Sequence, residues 1–418
     1  MIVEFAIKNY RSIKDQMVFS LEGESGQAKV ENTFEVTLPN NQKKKLLKSA
    51  VMYGPNASGK TNFIRGLFTL TNFIRYSLRL SADQVIEYYE PFLFDTETEQ
   101  APTEFTLDFL LREGDIYVLY KYQISFNREE VLFEELTYYP KGQSHNLFTR
   151  TNERTNKSEA IHTGKLGKSL SYREIDLFRN QLLLSKFGKD IPLDILTNVY
   201  LYFNTVEVWN ALDVIKISEL RAEIAQELFS PENKKLLVRL NKLIQIADTK
   251  IDSITIRDPN KSEEVFAQHA VYNGGKIVST RSLSLSEESA GTNVLFALGG
   301  IILKRLELGG VLFFDELDNS LHPKLSKFLV RLFNNPISNP RNAQLVVATH
   351  EVTLLDKEVF RKDQIWFAEK NKQGATEYFC VKDFEGVRDN TPFDKWYMNG
   401  KFGGQPKIKE IEFIFSHE

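Results

Sequence analysis

Gly54-Pro55-Asn56-Ala57-Ser58-Gly59-Lys60-Thr61 is the stretch on which the fold turns. It satisfies the pattern G-x-x-x-x-G-K-[ST], and its surroundings suit that pattern. Ala50-Val51-Met52-Tyr53 before it is a short apolar run, readable as a buried strand. From Asn62 to Leu80 apolar residues recur at helical spacing, at Phe63, Leu67, Leu70, Ile74 and Leu78. A strand, a glycine turn and a helix start aim successive backbone N–H groups at one anion, here a nucleotide β-phosphate. Asn56, Ala57, Ser58, Gly59 and Asn62 complete the expected cradle. Lys60 is expected to reach the β- and γ-phosphates, and the Thr61 hydroxyl to ligate Mg²⁺.

A second stretch answers the first. Val311-Leu312-Phe313-Phe314-Asp315-Glu316 is four residues of buried type followed by two carboxylates. It reads as a parallel strand delivering acids to the C-terminal edge of a sheet. Beside a phosphate loop, Asp315 is expected to hold the Mg²⁺ shell and Glu316 to act as general base on the attacking water. About 250 residues separate Lys60 from Asp315, a distance that requires a long insertion.

Composition bounds the rest. Of 418 positions, 42% are hydrophobic and 26% charged, ordinary for one large or two modest globular domains. A net charge of -3 excludes a molecule-wide basic footprint for nucleic acid. The single cysteine, Cys380, excludes an internal disulfide, fits a reducing compartment and reads as core filler. No apolar run is long enough for a bilayer, and Met1-Ile2-Val3-Glu4 opens as a strand, so a cytoplasmic chain without a membrane partner is expected.

Along the chain, Met1 to Phe19 reads as two paired strands at a sheet edge, around the turn Asn9-Tyr10-Arg11-Ser12. Gly23 to Lys48, ending in Lys43-Lys44-Lys45, reads as a solvated loop. Phe105 to Tyr139 reads as an antiparallel meander with aromatic faces. Gln143 to Ser171 reads as loop with strand fragments, and Tyr172 to about Lys250 as compact helices. Ile251 to Ile256 and Glu264 to Val278 read as strands, with a hairpin turn at Asn273-Gly274-Gly275-Lys276. The expected units are residues 1–142 with the phosphate loop and an antiparallel sheet, 143–250 as a mainly helical insertion, and 251–418 as a C-terminal lobe.

Leu285-Ser286-Glu287-Glu288-Ser289-Ala290-Gly291-Thr292 precedes a helix, Asn293 to Leu306, and resembles the signature loop of ABC ATPases. Ser289 and Gly291 match that loop; Ala290 and Thr292 depart from its usual residues and are similar to the RecF/OLD-like variant. Gln344-Leu345-Val346-Val347-Ala348-Thr349-His350 ends in what resembles the switch histidine of that class, a γ-phosphate partner. Asp318-Asn319-Ser320-Leu321-His322-Pro323 stands where the class carries its D-loop, at a subunit interface. The Asn9-Tyr10-Arg11-Ser12 turn resembles the phosphate-contacting arginine turn of SMC-like ATPases, which gives Arg11 a place on the nucleotide. No residue fills the glutamine loop; Gln84 and Gln123 are candidates without support from spacing.

In this order the motifs resemble the stand-alone SMC/RecF/OLD-like ATPases, and among them the RloA, AbiL and PARIS AriA type of prokaryotic anti-phage systems. Asp363-Gln364-Ile365-Trp366-Phe367 and the tail from Tyr397 to Pro406 look like that branch's closing segments. The resemblance implies an α/β fold: an ABC/SMC-type P-loop NTPase head with an N-terminal β-rich lobe and a helical insertion. It implies an ATP- and Mg²⁺-dependent hydrolase acting as a dimer or larger homo-oligomer, with Glu316 and His350 catalytic. Ser289, Ala290, Gly291 and Thr292 would then serve the partner copy's nucleotide in trans. The implied effector is a toxin or nuclease. The alternative is a RecF-like repair ATPase that binds DNA, against which the acidic balance speaks. A fused nuclease is disfavoured, because the stretch after His350 carries no acid cluster for metal.

Overall fold

A computed structural model describes residues 1–151, 160–162, 177–210, 213–248, 250–257, 265–317 and 321–405. The chain opens with β1 (Ile2–Lys8), β2 (Met17–Ser20), β3 (Thr33–Thr37), β4 (Lys43–Leu47) and β5 (Ser49–Tyr53), then α1 (Lys60–Tyr76). β6 (Thr103–Glu113), β7 (Ile116–Phe126), β8 (Val131–Tyr138), β9 (His145–Thr151) and β10 (Ala160–His162) follow. Next come α2 (Asp194–Phe203), β11 (Val206–Asn210), α3 (Val214–Phe229) and α4 (Lys234–Ala247). β12 (Ser253–Ile256), β13 (Val265–Asn273) and β14 (Lys276–Ser284) lead into α5 (Ala290–Leu308) and β15 (Val311–Asp315). The described chain closes with α6 (Pro323–Asn334), β16 (Gln344–Thr349), β17 (Ile365–Lys370) and β18 (Thr376–Cys380).

Two large sheets organise these elements. One is antiparallel, in the order β10-β9-β8-β7-β6-β1-β2; the other runs β11-β15-β16-β5-β17-β18 and is parallel up to its last strand. The parallel strands are buried on both faces, as their unbroken apolar runs require. Successive side chains divide between two cores. Ala50, Met52, Val311 and Phe313 enter the core shared with α1 and the antiparallel sheet; Val51, Tyr53, Leu312 and Phe314 enter the core under α3 to α6. α1 lies between the sheets. Its Phe63 ring sits 5.7 Å from Phe5, 4.8 Å from Phe19 and 6.3 Å from Phe313, so the helix carrying Lys60 is clamped from both sides. This is a mixed α/β P-loop NTPase fold.

The meander and the paired first strands stand as the alternation predicts. Lys43-Lys44-Lys45 does not form a loop but belongs to β4. Phe34, Val36 and Leu46 are buried on one face of the β3–β4 pair, and Leu47 on the other. The lysines alternate between the faces at the start of β4, with Lys43 bound to Glu35 at 3.2 Å and Lys44, on the face of Val36, bound to Glu22 at 2.8 Å. Within 143–250, β9 extends the antiparallel sheet and β11 joins the parallel one. Residues 172–176, 211, 212 and 249 of the expected helical stretch lie outside the described residues.

Candidate nucleotide site

The C-terminal edge of the parallel sheet gathers the reactive residues. Register pairs Asn210 with Asp315, Asp315 with Ala348, and Thr349 with Tyr53. Asn210, Asp315, His350 and Gly54 therefore end neighbouring strands or follow directly on them.

The loop leaves β5 at Gly54 and closes on α1 at Gly59. Gly59 has φ 109, and a Cβ there would lie 2.2 Å from Thr376 Oγ1, so only glycine fits. Ala57 is also left-handed, with φ 63. The loop is tied from behind by residues far away in sequence. Thr376 Oγ1 donates to Ser58 O at 2.9 Å and Tyr378 Oη to Gly59 O at 2.7 Å. Asn62 Nδ2 donates to Ser12 Oγ at 2.7 Å, and Ser12 Oγ bonds Thr376 Oγ1 at 2.7 Å. Lys60 is buried, its ammonium donating to Gly54 O at 2.7 Å and Pro55 O at 3.1 Å across the loop mouth.

Asp315 is 2% exposed. Burial pushes its carboxyl above the ordinary range; the Thr61 hydroxyl and the Lys60 ammonium pull it down, and Glu316 pushes it up. Asn210 Nδ2 donates to its Oδ2 at 3.2 Å, while Oδ1 is buried with no hydrogen-bond partner. An orphaned carboxylate oxygen beside a threonine hydroxyl is a hard-oxygen donor set that suits Mg²⁺. Among the described residues no three of His, Cys, Asp and Glu cluster to hold an ion alone. A cation at Asp315 and Thr61 must therefore take further ligands from phosphate and water, which is how Mg²⁺ is commonly held.

Glu316 adopts φ 60, a left-handed backbone that costs about 1–2 kcal/mol outside glycine. Its N–H donates to Ala348 O at 3.0 Å, and its Oε2 lies 2.9 Å from His350 Nδ1. The strained turn thus swings the second acid across to the neighbouring strand's histidine. A cleft of about 740 Å³ opens there, lined by residues 54–58, His350, Lys370, Tyr397, Met398 and Gln405 among others. Thr61 and Asp315 face a second space of about 380 Å³ with Asn210, Glu90 and Arg65.

Other expected residues lie elsewhere. Arg11 Nη1 is held by Glu90 Oε1 at 2.9 Å and Oε2 at 3.1 Å, in a third cleft that Ser12 and Asn62 also line. Ser289 caps α5, accepting from Thr292 N at 3.1 Å. Ser289 and Ala290 are exposed, Gly291 is half-buried, Thr292 is buried, and none of the four lines the 740 Å³ cleft. Asp318, Asn319, Ser320 and Pro406 lie outside the described residues. Gln84 accepts from Ser81 N at 2.7 Å, Gln123 donates to Thr106 Oγ1 at 3.5 Å, and neither lines these clefts.

Sequence reasoning missed Glu90, Asn210, Thr376 and Tyr378. Asn210 carried a usable signal: Val206-Glu207-Val208-Trp209 before it alternates and is rich in β-formers, inside a stretch otherwise helical in pattern.

A family model described as "AAA domain, putative AbiEii toxin, Type IV TA system" matches residues 49–356, well over half of the chain. No curated protein matches. Among solved structures, an Smc head bound to the C-winged helix domain of ScpA is 13% identical, with 91% of this chain and 97% of that chain covered and a TM-score of 0.42. An Smc head with an extended coiled coil, bound to the C-terminal domain of ScpA derived from Pyrococcus furiosus, is 12% identical over 91% and 96%, TM-score 0.40. CbiO1 of Clostridium perfringens, part of the ABC transporter complex cbiONQ, is 8% identical over 100% of both chains, TM-score 0.35. Among the described residues no helix is long and apolar enough to cross a membrane.

Proposed function

Because the chain belongs to the AAA domain family whose model spans residues 49–356, we propose that it binds and hydrolyses ATP at the edge formed by β5, β15 and β16. The observation that carries this reading is the contact between Glu316 and His350, 2.9 Å, on the same edge as the phosphate loop and Asp315. The amides of residues 57–61 cradle the β-phosphate, and Lys60 turns from the carbonyls of Gly54 and Pro55 to the phosphate oxygens. Asp315 and Thr61 would hold Mg²⁺, which would supply positive charge against the phosphates. Glu316 accepts the proton of a water whose oxygen bonds the γ-phosphorus as the bond to the β,γ-bridging oxygen breaks, leaving ADP and phosphate. His350 orients Glu316 and meets the γ-phosphate.

The exposed cap at Ser289, outside the cleft of its own chain, supports a dimer in which residues 289–292 complete the other copy's site. ATP then holds the copies together, and hydrolysis releases a toxin or nuclease effector in anti-phage defence, in keeping with the toxin–antitoxin wording of the family description.

Glu316→Gln tests the chemistry. Steady-state ATPase turnover should fall at least about 100-fold, with ATP binding kept and the dimer accumulating in native mass measurements. Turnover near that of the parent protein would overturn the role of Glu316 and with it the proposed mechanism.

A further inference from the structure

β13 and β14 form a ribbon that leaves the body of the protein just before α5. They are joined through Gly274, φ 58, and Gly275, φ 80, both left-handed as a two-residue hairpin turn demands. The base is buried at Val265, Phe266 and Ala267. Beyond it residues 268–271 of β13 are half-buried, while residues 276–282 of β14 are all exposed, with Ile277 at 62% and Val278 at 60%, and Tyr272 opposite at 62%. β14 is an edge strand. It pairs with β13 alone, and its nine residues contain no proline. Among the described residues its outer backbone N–H and C=O groups have no strand partner. Edges of this length are usually blunted, and beyond Val265–Gln268, where β12 pairs with β13, the ribbon is two strands wide and gains little stability by itself.

Register sorts the side chains. Ala267 faces Leu283, His269 faces Arg281 and Val271 faces Ser279; then Tyr272 faces Ile277 and Asn273 faces Lys276. The extra residue is Val278, and this bulge turns Lys276 onto the face that carries Arg281. That face carries Lys276 and Arg281, and nearer the base His269, whose Nε2 lies 2.8 Å from Glu288 Oε1. The other carries Gln268, Ala270, Thr280, Tyr272 and Ile277 and no charge. No acid occurs between Val265 and Ser286, in a chain with 56 acids.

We propose that the free edge of β14 receives an extended segment of another protein, one that alternates carboxylate and apolar side chains. Its backbone continues the sheet, its carboxylates meet Arg281 and Lys276, and its apolar residues cover Ile277 and Thr280. A second copy of β14 fits worse, because antiparallel pairing of the two edges sets cationic face beside cationic face. Nucleic acid also fits worse, because two cations release few counterions and leave the apolar tip unused. None of residues 265–284 lines the three clefts described above, and the test needs no nucleotide.

The probe is a fluorescein-labelled peptide of about eight residues alternating glutamate and valine, long enough to span β14, titrated with the full chain and followed by anisotropy. Saturable binding should weaken at least tenfold with Arg281→Glu and with Lys276→Glu, and disappear when alternate amides along one edge of the peptide are methylated. Unchanged thermal melting of both variants separates lost docking from lost folding. Absence of binding up to about 1 mM, indifference to amide methylation, or equal competition by a single-stranded oligonucleotide would each overturn the proposal.

Discussion

Glu134 in the antiparallel sheet and Asp315 in the parallel sheet are both buried carboxylates, and burial raises the pKa of each. Their surroundings differ. Glu134 accepts from Tyr122 Oη at 2.8 Å, Leu183 N at 2.7 Å and Leu184 N at 2.9 Å, and pairs across the sheet with the buried Arg150. Arg150 in turn donates to the carbonyls of Phe178, Arg179 and Gln181. Asp315 has one amide donor, the Thr61 hydroxyl beside it, and one oxygen, Oδ1, left over. A satisfied buried charge fixes structure, here the docking of residues 178–185 on β8 and β9. A buried carboxylate with an unused oxygen keeps room for a ligand, and at the end of β15 beside Thr61 that oxygen marks a candidate site.

The sharpest way to break this contrast is to remove each acid. Glu134→Ala leaves a guanidinium, two amides and a phenol without their partner, and should lower unfolding free energy by about 3–5 kcal/mol in a urea titration. Asp315→Asn should act in the opposite direction on stability. It removes a desolvated charge, and the nucleotide-free protein should gain about 1–3 kcal/mol while Mg²⁺-dependent ATPase turnover falls at least about 100-fold. If both variants unfold alike, the distinction between the two acids fails.

The pH dependence sharpens the same point. The folded pKa of Asp315 lies above its unfolded value. The stability it contributes is therefore fully present below the ordinary carboxylate range and is lost as pH rises through the raised pKa. The advantage of Asp315→Asn over the parent protein should grow across that window and level off above it. Mg²⁺ binding, which needs the ionised form, should strengthen over the same window.

The difference between the two acids also explains what could be read from the sequence. Lys60, Asp315, Glu316 and His350 announce themselves because each stands in a short local pattern, a glycine turn or an apolar run ending in a polar residue. The same apolar runs announce β5, β15 and β16. Glu134 is invisible as a core residue, because its partners Leu183 and Leu184 lie about 50 positions away and offer only backbone N–H groups. Lys43-Lys44-Lys45 misleads because charge dominates the local composition, while the burial that makes β4 a strand comes from Leu46 and Leu47 at its end and from pairing with β3. Thr376 and Tyr378 carry no local signal, since their role depends on β17 and β18 folding back beside the phosphate loop.

That return of the chain supplies the smallest expected effect. Thr376 Oγ1 bridges Ser58 O and Ser12 Oγ, and so links the phosphate loop to the N-terminal turn through a strand more than 300 positions further on. Thr376→Val keeps the shape and removes both bonds, leaving a buried carbonyl unpaired. Stability should fall by about 1–2 kcal/mol, and ATP affinity by a factor of a few, because the loop is no longer held in its left-handed path at Ala57 and Gly59 before ligand arrives. Turnover at saturating ATP should hold, since Glu316 and His350 rest on strands that Thr376 does not touch. A large loss of turnover with unchanged ATP affinity would mean that β18 acts on the chemistry itself and not on the readiness of the loop.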